Sequence, residues 1–510
     1  MNVPKNFRKY KLFINKVISD IKTKKTEYWI KTKEKFILNL FYNAARKVPA
    51  YKDFLKKNKI NPEKIKTLED FKLIPPINKE NYILYYDYEK LLWDGSLKKP
   101  LTIHASSGTT GEPTYFFREP RFDLIREISS ELFLSYRPSF LTQPTLFINT
   151  FGMGVWSAGV GMLLGCYLGN LVGNTNLSII SPGVNKIEVI KIFKNIASLY
   201  KQIVITGYPP FVKDIIDELI YEGINIKKFN LRFILIGEPF PDELKNYLKE
   251  NAGLKNIFLD IMNAYGTSEF GATAFETPLS GLIKHLCLKN KIIFKEIFGD
   301  ITKTPTLAQF IPYFVNFEEE NGELILTGDN AIPLIRYQIG DKGGVFNYYS
   351  LIEFFENKKI KILKLAKKFK IDKTISELPF VYVYERKNLA TTFYAILIFP
   401  EFIKSALLDK DLSKFLTGKF TMITKYDKNQ NQYLEINLEL KKGFVFKKYY
   451  EKIALKKIVE TLRKKSSEYR ELSNNLKERA YPKLVFWQYE HQKFFKPGGK
   501  HKWVLKNAKN

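Results

Sequence analysis

The first two-thirds of the chain alternates short apolar runs with longer amphipathic segments. Short apolar runs between polar or turn residues predict strands, whereas apolar positions spaced three and four residues apart predict helices. The predicted strands cover residues 145–150, 177–180, 203–206, 233–236 and 257–261, and the predicted helices cover residues 157–172, 187–200, 210–221 and 242–250. This order is typical of a layered α/β architecture with parallel strands, in which ligands bind beyond the carboxyl ends of the strands.

The last quarter of the chain has a different pattern. Strands are predicted at residues 420–424, 433–440 and 483–489, and a basic helical segment lies near residues 446–472. The predicted fold class is therefore α/β, with a large N-terminal domain of layered α/β sheets followed by a small α+β C-terminal domain.

Residues 151–173 contain no charged side chain, although a membrane helix needs about 20 apolar residues. Seven of these 23 residues are glycine, which weakens an isolated helix. We therefore expect a buried helix packed on the sheet, and the sequence leaves a peripheral membrane contact open.

The segment from Ser106 to Thr114 consists mostly of Ser, Thr and Gly and has no apolar side chain to bury. Glycines allow backbone N–H groups to converge, and hydroxyl groups add further donors, so the segment suits a loop around phosphate. A polar surface turn has the same composition. The segment is not a Walker loop, because no Gly-Lys-Ser/Thr sequence follows.

Composition narrows the possible functions. The chain has 510 residues, 45% hydrophobic content and a formal net charge of +29, so it can bury a large core and attract anionic partners. Residues 389–510 carry 26 Lys and Arg against 12 Asp and Glu, a net charge of +14. A solvated lysine-rich surface is the more ordinary explanation of such a charge, and no recognition motif predicts a specific nucleic acid.

Cysteine and histidine are rare. The two cysteines, Cys166 and Cys287, form no pairing pattern, and the four histidines lack metal-ligand spacing. The basic N-terminal segment has no sustained apolar core, so we expect no signal peptide and a reducing, cytoplasmic location.

Further motifs follow residues 106–114 in order. They are Gly237-Glu238-Pro239, Asn-Ala-Tyr-Gly-Thr-Ser-Glu at 263–269, Gly322-Glu323-Leu324, Pro-Leu-Ile-Arg-Tyr-Gln-Ile-Gly-Asp at 333–341 and Lys-Pro-Gly-Gly-Lys at 496–500. Together these motifs resemble those of the adenylate-forming (acyl-CoA ligase) superfamily, and residues 333–341 resemble its phenylacetate–CoA ligase branch. The resemblance covers most of the chain.

The resemblance implies a reaction in two steps. A carboxylic acid substrate and ATP, with Mg²⁺, form an acyl-adenylate, and the acyl group then passes to coenzyme A. The implied catalytic residues are Lys500, Thr267 at the α-phosphate, and Glu269, which would hold Mg²⁺. The implied nucleotide-binding residues are Ser106, Ser107, Gly108, Thr109, Thr110 and Gly111 at the phosphates, Gly237, Glu238, Pro239, Tyr265 and Gly266 around adenine, and Asp341 and Arg386 at the ribose. The region of Trp156, Tyr208 and Pro209 would approach the acid, which the sequence does not identify.

The resemblance also implies a division of the chain. The large AMP-binding domain would cover residues 1–385, and a small mobile domain carrying Lys500 would cover residues 386–510. The lysine-rich residues 342–378 depart from the family pattern and are predicted to be an insertion.

Several residues differ from the family pattern. Glu112 stands where many relatives carry lysine, and Glu385 and Asn388 replace the usual hinge glycine and aspartate. The altered hinge leaves transfer to coenzyme A open, because that step depends on rotation of the small domain in this family.

Two alternative functions are also consistent with the sequence: an adenylating acyltransferase that acts on an amine or hydroxyl, for example on a sugar, and an inactive homologue with a basic binding surface. The oligomeric state, including a homodimer, also remains open.

Overall fold

The computed structural model describes most of the chain. The described residues are 5–98, 101–106, 114–119, 123–172, 175–237, 239–240, 242–299, 304–384, 390–495 and 503–505. Some predicted site residues lie outside these ranges, namely Ser107, Gly108, Thr109, Thr110, Gly111, Glu238, Arg386 and Lys500.

The strands form one large sheet and three small ones. They are β1 (Thr102–Ser106), β2 (Thr114–Arg118), β3 (Thr145–Asn149), β4 (Leu177–Ile180), β5 (Gln202–Gly207), β6 (Leu231–Ile236), β7 (Ile261–Thr267), β8 (Gly271–Phe275), β9 (Thr306–Phe310), β10 (Val315–Glu320), β11 (Glu323–Gly328), β12 (Leu334–Phe346), β13 (Phe380–Tyr384), β14 (Thr391–Phe393), β15 (Ile396–Ile398), β16 (Leu416–Tyr426), β17 (Gln432–Leu440) and β18 (Lys483–Trp487). The large sheet has the order β10-β11-β12-β13-β9-β8-β7-β6-β5-β3-β4. Its β4-β3-β5-β6-β7 part is parallel, as the sequence predicted, and the remaining pairs are antiparallel.

Helices cover the sheets and connect their strands. They are α1 (Lys5–Thr23), α2 (Thr26–Lys47), α3 (Pro49–Lys57), α4 (Leu68–Lys72), α5 (Tyr88–Leu91), α6 (Asp123–Ser135), α7 (Ser157–Val172), α8 (Lys186–Asn195), α9 (Pro209–Tyr221), α10 (Asp242–Ala252), α11 (Ile257–Asp260), α12 (Pro278–Lys289), α13 (Lys291–Phe298), α14 (Tyr348–Asn357), α15 (Ile362–Lys368), α16 (Pro400–Leu407), α17 (Lys448–Lys465) and α18 (Ser467–Leu476).

Helix α7 is most of the uncharged segment, and it is buried on one face, where Met162, Cys166 and Val172 lie in the core, whereas Tyr167 is exposed. Its glycines form the contact with α6: a Cβ atom on Gly161 would clash with the Arg126 side chain, and one on Gly169 would clash with Glu127. Arg126 and Glu127 are both buried in this contact. Within the described residues, no helix is long and apolar enough to cross a membrane.

The C-terminal region forms a small sheet. Strands β16 and β17 are antiparallel, and β18 lies parallel to β17. At the other edge, Met422 exchanges backbone hydrogen bonds of 2.9 Å with Trp503 and Leu505. Residues 503–505 therefore lie beside β16.

The apolar core passes from the large sheet into this C-terminal region without a break. One buried cluster contains Ile203 of β5 and Phe233 of β6, together with Phe420 of β16 and Ile458 of α17. Burial of apolar surface on both sides therefore stabilises the contact between the two regions.

Residues 342–378 form ordered structure. They contribute the end of β12 and helices α14 and α15, and Leu351 and Phe355 of α14 pack against Leu279 and Ile283 of α12. That these residues are an insertion stays a prediction, as do the domain boundaries.

Three predicted elements need correction. Residues 257–260 form helix α11 rather than a strand, because the Asn256 side chain accepts a hydrogen bond from the Phe258 N–H and starts a helical turn. The helix predicted at 187–200 ends at Asn195 and continues as a 3₁₀ turn. The basic helical segment is two helices, because Ser466 has an extended backbone and caps α18 by accepting from the Tyr469 N–H.

Candidate active site at the carboxyl ends of the strands

The structure brings together two residues that the sequence assigns to the nucleoside. Tyr265 lies in β7 and Asp341 lies in β12, 76 residues later, and the tyrosine hydroxyl donates a hydrogen bond to the Asp341 carboxylate. Asp341 is buried and Tyr265 is partly exposed. A carboxylate can still accept further hydrogen bonds when one donor is in place. The pair thus offers an aromatic face next to a hydrogen-bond acceptor.

The turn after β7 carries the two residues predicted at the α-phosphate and Mg²⁺. The Thr267 hydroxyl accepts a hydrogen bond from the Phe270 N–H at 3.1 Å, so its own proton remains available for donation. Tyr337 donates to the Glu269 carboxylate at 3.5 Å, and the Asn330 side-chain amide donates to the Glu269 carbonyl at 3.2 Å. These contacts fix the position of both side chains.

Glu269 fits the chemistry of a magnesium site. Mg²⁺ is usually bound by one or two carboxylates, with nucleotide phosphates and water supplying the remaining ligands. The described residues contain no group of three or more His, Cys, Asp or Glu side chains arranged to hold a metal ion. Glu269 would therefore hold the ion only together with phosphate oxygens.

Strands β1 and β2 frame the predicted phosphate loop. Ser106 at the end of β1 is paired with Thr114 at the start of β2, so residues 107–113 connect two adjacent strand ends. The Ala105 N–H donates to the Val155 carbonyl at 3.0 Å, which places the end of β1 beside the turn that precedes α7.

The sequence analysis missed Arg118, which links β2 to the turn after β7. Its guanidinium group is buried and donates to the carbonyl of Ser268 at 2.8 Å and to that of Thr267 at 3.4 Å. Burial lowers the pKa of Arg118 to about 9, with a smaller contribution from the charge of Arg126. Every second residue of β2 is buried, namely Thr114, Phe116 and Arg118. An arginine at a core-facing position of a strand was therefore the sequence signal that could have identified Arg118.

His104 of β1 lies next to these buried cations. Burial lowers the pKa of His104 to about 3, and the charges of Arg118 and Arg126 lower it further. The imidazole is therefore neutral at physiological pH and adds no charge to this cluster.

Gly237 follows β6 at a point where a side chain cannot fit. Its φ is +114°, and an added Cβ atom would lie 2.9 Å from the Tyr208 ring and 2.7 Å from the Ala395 side chain. Gly266 of β7 is restricted in the same way, because a Cβ atom would lie 2.8 Å from the Gly271 carbonyl. Pro239 is partly exposed. Close backbone approach therefore explains both glycines.

The C-terminal region contacts the large sheet close to this wall. The hairpin of β14 and β15 turns at Tyr394 and Ala395, both with positive φ. The buried Tyr394 hydroxyl donates to the Asp214 carboxylate at 2.6 Å, and Arg479 lies 3.3 Å from the same carboxylate. A second contact joins Trp156, before α7, to Glu471 of α18 at 3.3 Å. The interface thus reaches the carboxyl ends of β3, β5 and β6.

Comparison with known proteins identifies relatives of one kind. No family model matches the chain. It is 23% identical over 304 residues to a phenylacetate–coenzyme A ligase of Thermus thermophilus, covering 58% of this chain and 61% of the relative. It is 23% identical over 301 residues to the phenylacetate–coenzyme A ligase of Pseudomonas putida, again covering 58% and 61%. The chain thus spans about three-fifths of the length of these relatives.

Solved structures support the fold over nearly the whole chain. A 2-hydroxyisobutyryl-CoA ligase in complex with 2-HIB-AMP and CoA in the thioesterification state matches with a TM-score of 0.61 and 14% identity, covering 96% of this chain and 92% of that chain. The same ligase in the postadenylation state matches with a TM-score of 0.51 and 14% identity, over the same shares.

These matches describe the similarity in two stages, the fold and then the sequence. The fold is that of the adenylate-forming enzymes, in which a large α/β region is followed by a small C-terminal one. Within that class the sequence resembles phenylacetate–CoA ligases, so the resemblance drawn from the motifs is confirmed. The individual site residues stay predictions.

Proposed function

We propose that this protein activates a carboxylic acid with ATP, forming an acyl-adenylate and pyrophosphate, and then transfers the acyl group to coenzyme A. The observation that carries the proposal is the pairing of Tyr265 with Asp341 next to the turn that holds Thr267 and Glu269. These residues meet where β7 ends, at the edge where open α/β sheets bind ligands. The similarity to acid–CoA ligases supports the same activity.

The described residues can position the nucleotide. The Tyr265 ring offers a face to adenine, Asp341 accepts hydrogen bonds from ribose hydroxyls, and the Thr267 hydroxyl donates to the α-phosphate. Ser106 opens the segment around the β- and γ-phosphates. These contacts would hold the α-phosphorus in line with the attacking carboxylate oxygen, while pyrophosphate leaves on the opposite side.

Charge must be neutralised, because the acid and the triphosphate repel each other. Glu269 would hold Mg²⁺, which supplies positive charge at the phosphates when bound. Lys500 would add a point charge at the transferring carboxylate, and Arg386 would lie near the ribose. Both roles rest on the sequence motifs. A cytoplasmic location is likewise a proposal.

A screen of carboxylic acids for ATP–pyrophosphate exchange, with and without coenzyme A, tests the function. Exchange that depends on one class of acid, with thioester formed only when coenzyme A is present, is the expected result. Absence of exchange with every acid would contradict the proposal. Salt-sensitive binding to nucleic acid or membrane vesicles without exchange would instead favour the inactive alternative.

A further inference from the structure

The loop between β17 and α17 presents apolar side chains to solvent. Every residue from 441 to 449 is exposed, and Phe444, Val445 and Phe446 form the apolar tip of the loop. The exposed fractions are 38% for Phe444, 69% for Val445 and 47% for Phe446. No other run of three consecutive exposed large hydrophobic residues occurs in the described part of the chain. Exposed apolar patches rimmed by polar residues are typical of protein or membrane contact sites.

Lysines lie on both sides of the apolar tip. Two precede it and two follow it, namely Lys441, Lys442, Lys447 and Lys448. Of these four, only Lys448 forms an ion pair within the described residues, with Glu451 at 2.6 Å. Residues 441–450 contain no Asp or Glu. The apolar tip is therefore surrounded by positive charge that other side chains leave largely uncompensated.

Contacts at both ends hold the loop next to β16. The Lys441 N–H donates to the Phe415 carbonyl at 2.8 Å, and the Phe415 ring stacks on the Tyr450 ring with centroids 4.1 Å apart. The Phe444 N–H donates to the Lys441 carbonyl at 3.0 Å and closes a turn in which Gly443 has a φ of +84°, a value that favours glycine. A tip held by a fixed turn loses little conformational freedom when it is covered.

We propose that this loop binds the surface of a membrane that contains anionic lipids. The apolar tip would enter the boundary between headgroups and acyl chains, and the flanking lysines would lie at the level of the lipid phosphates. Long lysine stems allow the ammonium groups to stay in the headgroup layer while apolar neighbours lie deeper. Apolar burial and attraction to anionic lipids both strengthen such binding. The surface does not involve residues 151–173, and it adds to the proposed catalytic function without depending on it.

The composition of the tip favours lipid over nucleic acid. Surfaces that bind single-stranded nucleic acid combine positive charge with aromatic rings on which bases stack. Val445 is the most exposed residue of the tip, and its side chain has no planar face for stacking. Burial in hydrocarbon stabilises valine and phenylalanine alike. The cytoplasmic leaflet of a membrane is negatively charged, which agrees with the proposed cytoplasmic location.

Co-sedimentation with vesicles tests the proposal. The full-length protein is mixed with vesicles of phosphatidylcholine alone or of equimolar phosphatidylcholine and phosphatidylserine. We expect binding to the second kind, and we expect it to weaken as salt is raised. Phe444→Ser combined with Val445→Ser and Phe446→Ser should weaken this binding by a factor of about 10² or more. Lys441→Gln combined with Lys442→Gln should weaken it by a factor of about 10.

Two control variants separate this loop from the general surface. Leu199→Ser combined with Tyr221→Ser removes exposed apolar side chains of the large α/β region. Lys464→Gln combined with Lys465→Gln removes two exposed charges at the other end of α17. Both controls should keep most of the vesicle binding. The urea midpoint of each variant shows whether it is folded.

A fluorescent label reports whether the tip enters the lipid. Cys166 and Cys287 are buried, so a thiol-reactive label attaches selectively to Val445→Cys. Phosphatidylcholine that carries bromine on its acyl chains, mixed with phosphatidylserine, should quench this label. The same label on Lys464→Cys should not be quenched, because it lies at the far end of α17.

Three results would each overturn the proposal: no binding of the wild-type protein to the anionic vesicles, equally tight binding by the triple serine variant, or no quenching of the label at position 445. Binding to polyuridylate RNA that depends on the apolar tip, without vesicle binding, would assign the loop to nucleic acid instead. None of these measurements uses ATP, so their outcome is separate from that of ATP–pyrophosphate exchange.

Discussion

The nucleotide side of the candidate site and the contact with the C-terminal region differ in how far the sequence alone reveals their residues. Tyr265, Thr267, Glu269 and Asp341 belong to short motifs whose residue types suit phosphate, ribose and metal chemistry. The interface residues Asp214, Tyr394, Arg479 and Glu471 belong to no motif, and their roles follow only from their contacts. Chemistry with a small ligand restricts local residue types, whereas contacts between distant segments leave no comparable local pattern.

The largest effect is expected at Lys500, which belongs to one of the sequence motifs. We expect Lys500→Ala to lower the rate of adenylation by a factor of about 10²–10³ and to change ATP affinity little, because the proposed contact would form in the transition state. Pyrophosphate release and equilibrium ATP binding measure the two quantities. Lys496→Ala and Lys502→Ala control for loss of positive charge. Equal losses in all three variants would show that the role is not specific to Lys500.

Asp341→Asn tests the proposed ribose contact. A hydrogen bond to a charged group contributes about 1.5–3 kcal/mol, so we expect ATP binding to weaken by about one to two orders of magnitude. Calorimetric titration with ATP measures the change, and Asp372→Asn is the control at an exposed position. ATP affinity equal to that of the control would rule out the ribose role.

Arg118 connects strand β2 to the turn that carries Thr267. Arg118→Met leaves the Ser268 carbonyl without its buried donor, which we expect to lower the free energy of unfolding by about 1–3 kcal/mol. The Michaelis constant for ATP should rise as well, because the turn that carries Thr267 loses the hydrogen bonds from Arg118. Arg118→Lys should show a smaller change in both the free energy of unfolding and the Michaelis constant. Urea unfolding and initial rates measure the two effects. A Michaelis constant that stays unchanged while stability falls would limit Arg118 to a structural role.

The smallest effect belongs to the interface. Tyr394→Phe removes one hydrogen bond to the buried Asp214 but leaves Arg479 in place, so we expect a loss of about 1 kcal/mol. The urea midpoint measures it. Tyr221→Phe is the control, since Tyr221 lies at the exposed end of the same helix as Asp214. Equal midpoints for the two variants would mean that this contact does not stabilise the interface.

Much of the fold could be predicted from periodicity. Helix α7 and strand β4 match their predicted bounds, because each is a mainly apolar, uncharged segment between turn residues. The strand predicted at residues 257–261 was wrong for residues 257–260, because a short apolar run does not distinguish a strand from one helical turn. The Asn256 side chain caps this segment and so favours the helical turn. Ser466 interrupted the basic helical segment for a similar local reason.

Residues of the candidate site could be predicted only where they belong to a short sequence motif. The Tyr265–Asp341 contact joins two predicted residues, but the resemblance and not the spacing suggested that they meet. Arg118 had a usable signal in the alternation of β2. Glu471 had none, because a glutamate in a charged helix is ordinarily a solvated residue, and its partner Trp156 lies 315 residues away.

The glycines of α7 also bear on the order in which the chain folds. Gly159, Gly161, Gly165 and Gly169 each weaken an isolated helix by about 1 kcal/mol relative to alanine. Gly161, Gly165 and Gly169 allow the close approach of α6, so the helix gains its stability on docking. Helix α6 precedes α7 in the chain and leaves the ribosome first. We therefore expect residues 157–172 to become helical only as they dock on α6, and that docking covers part of this uncharged segment.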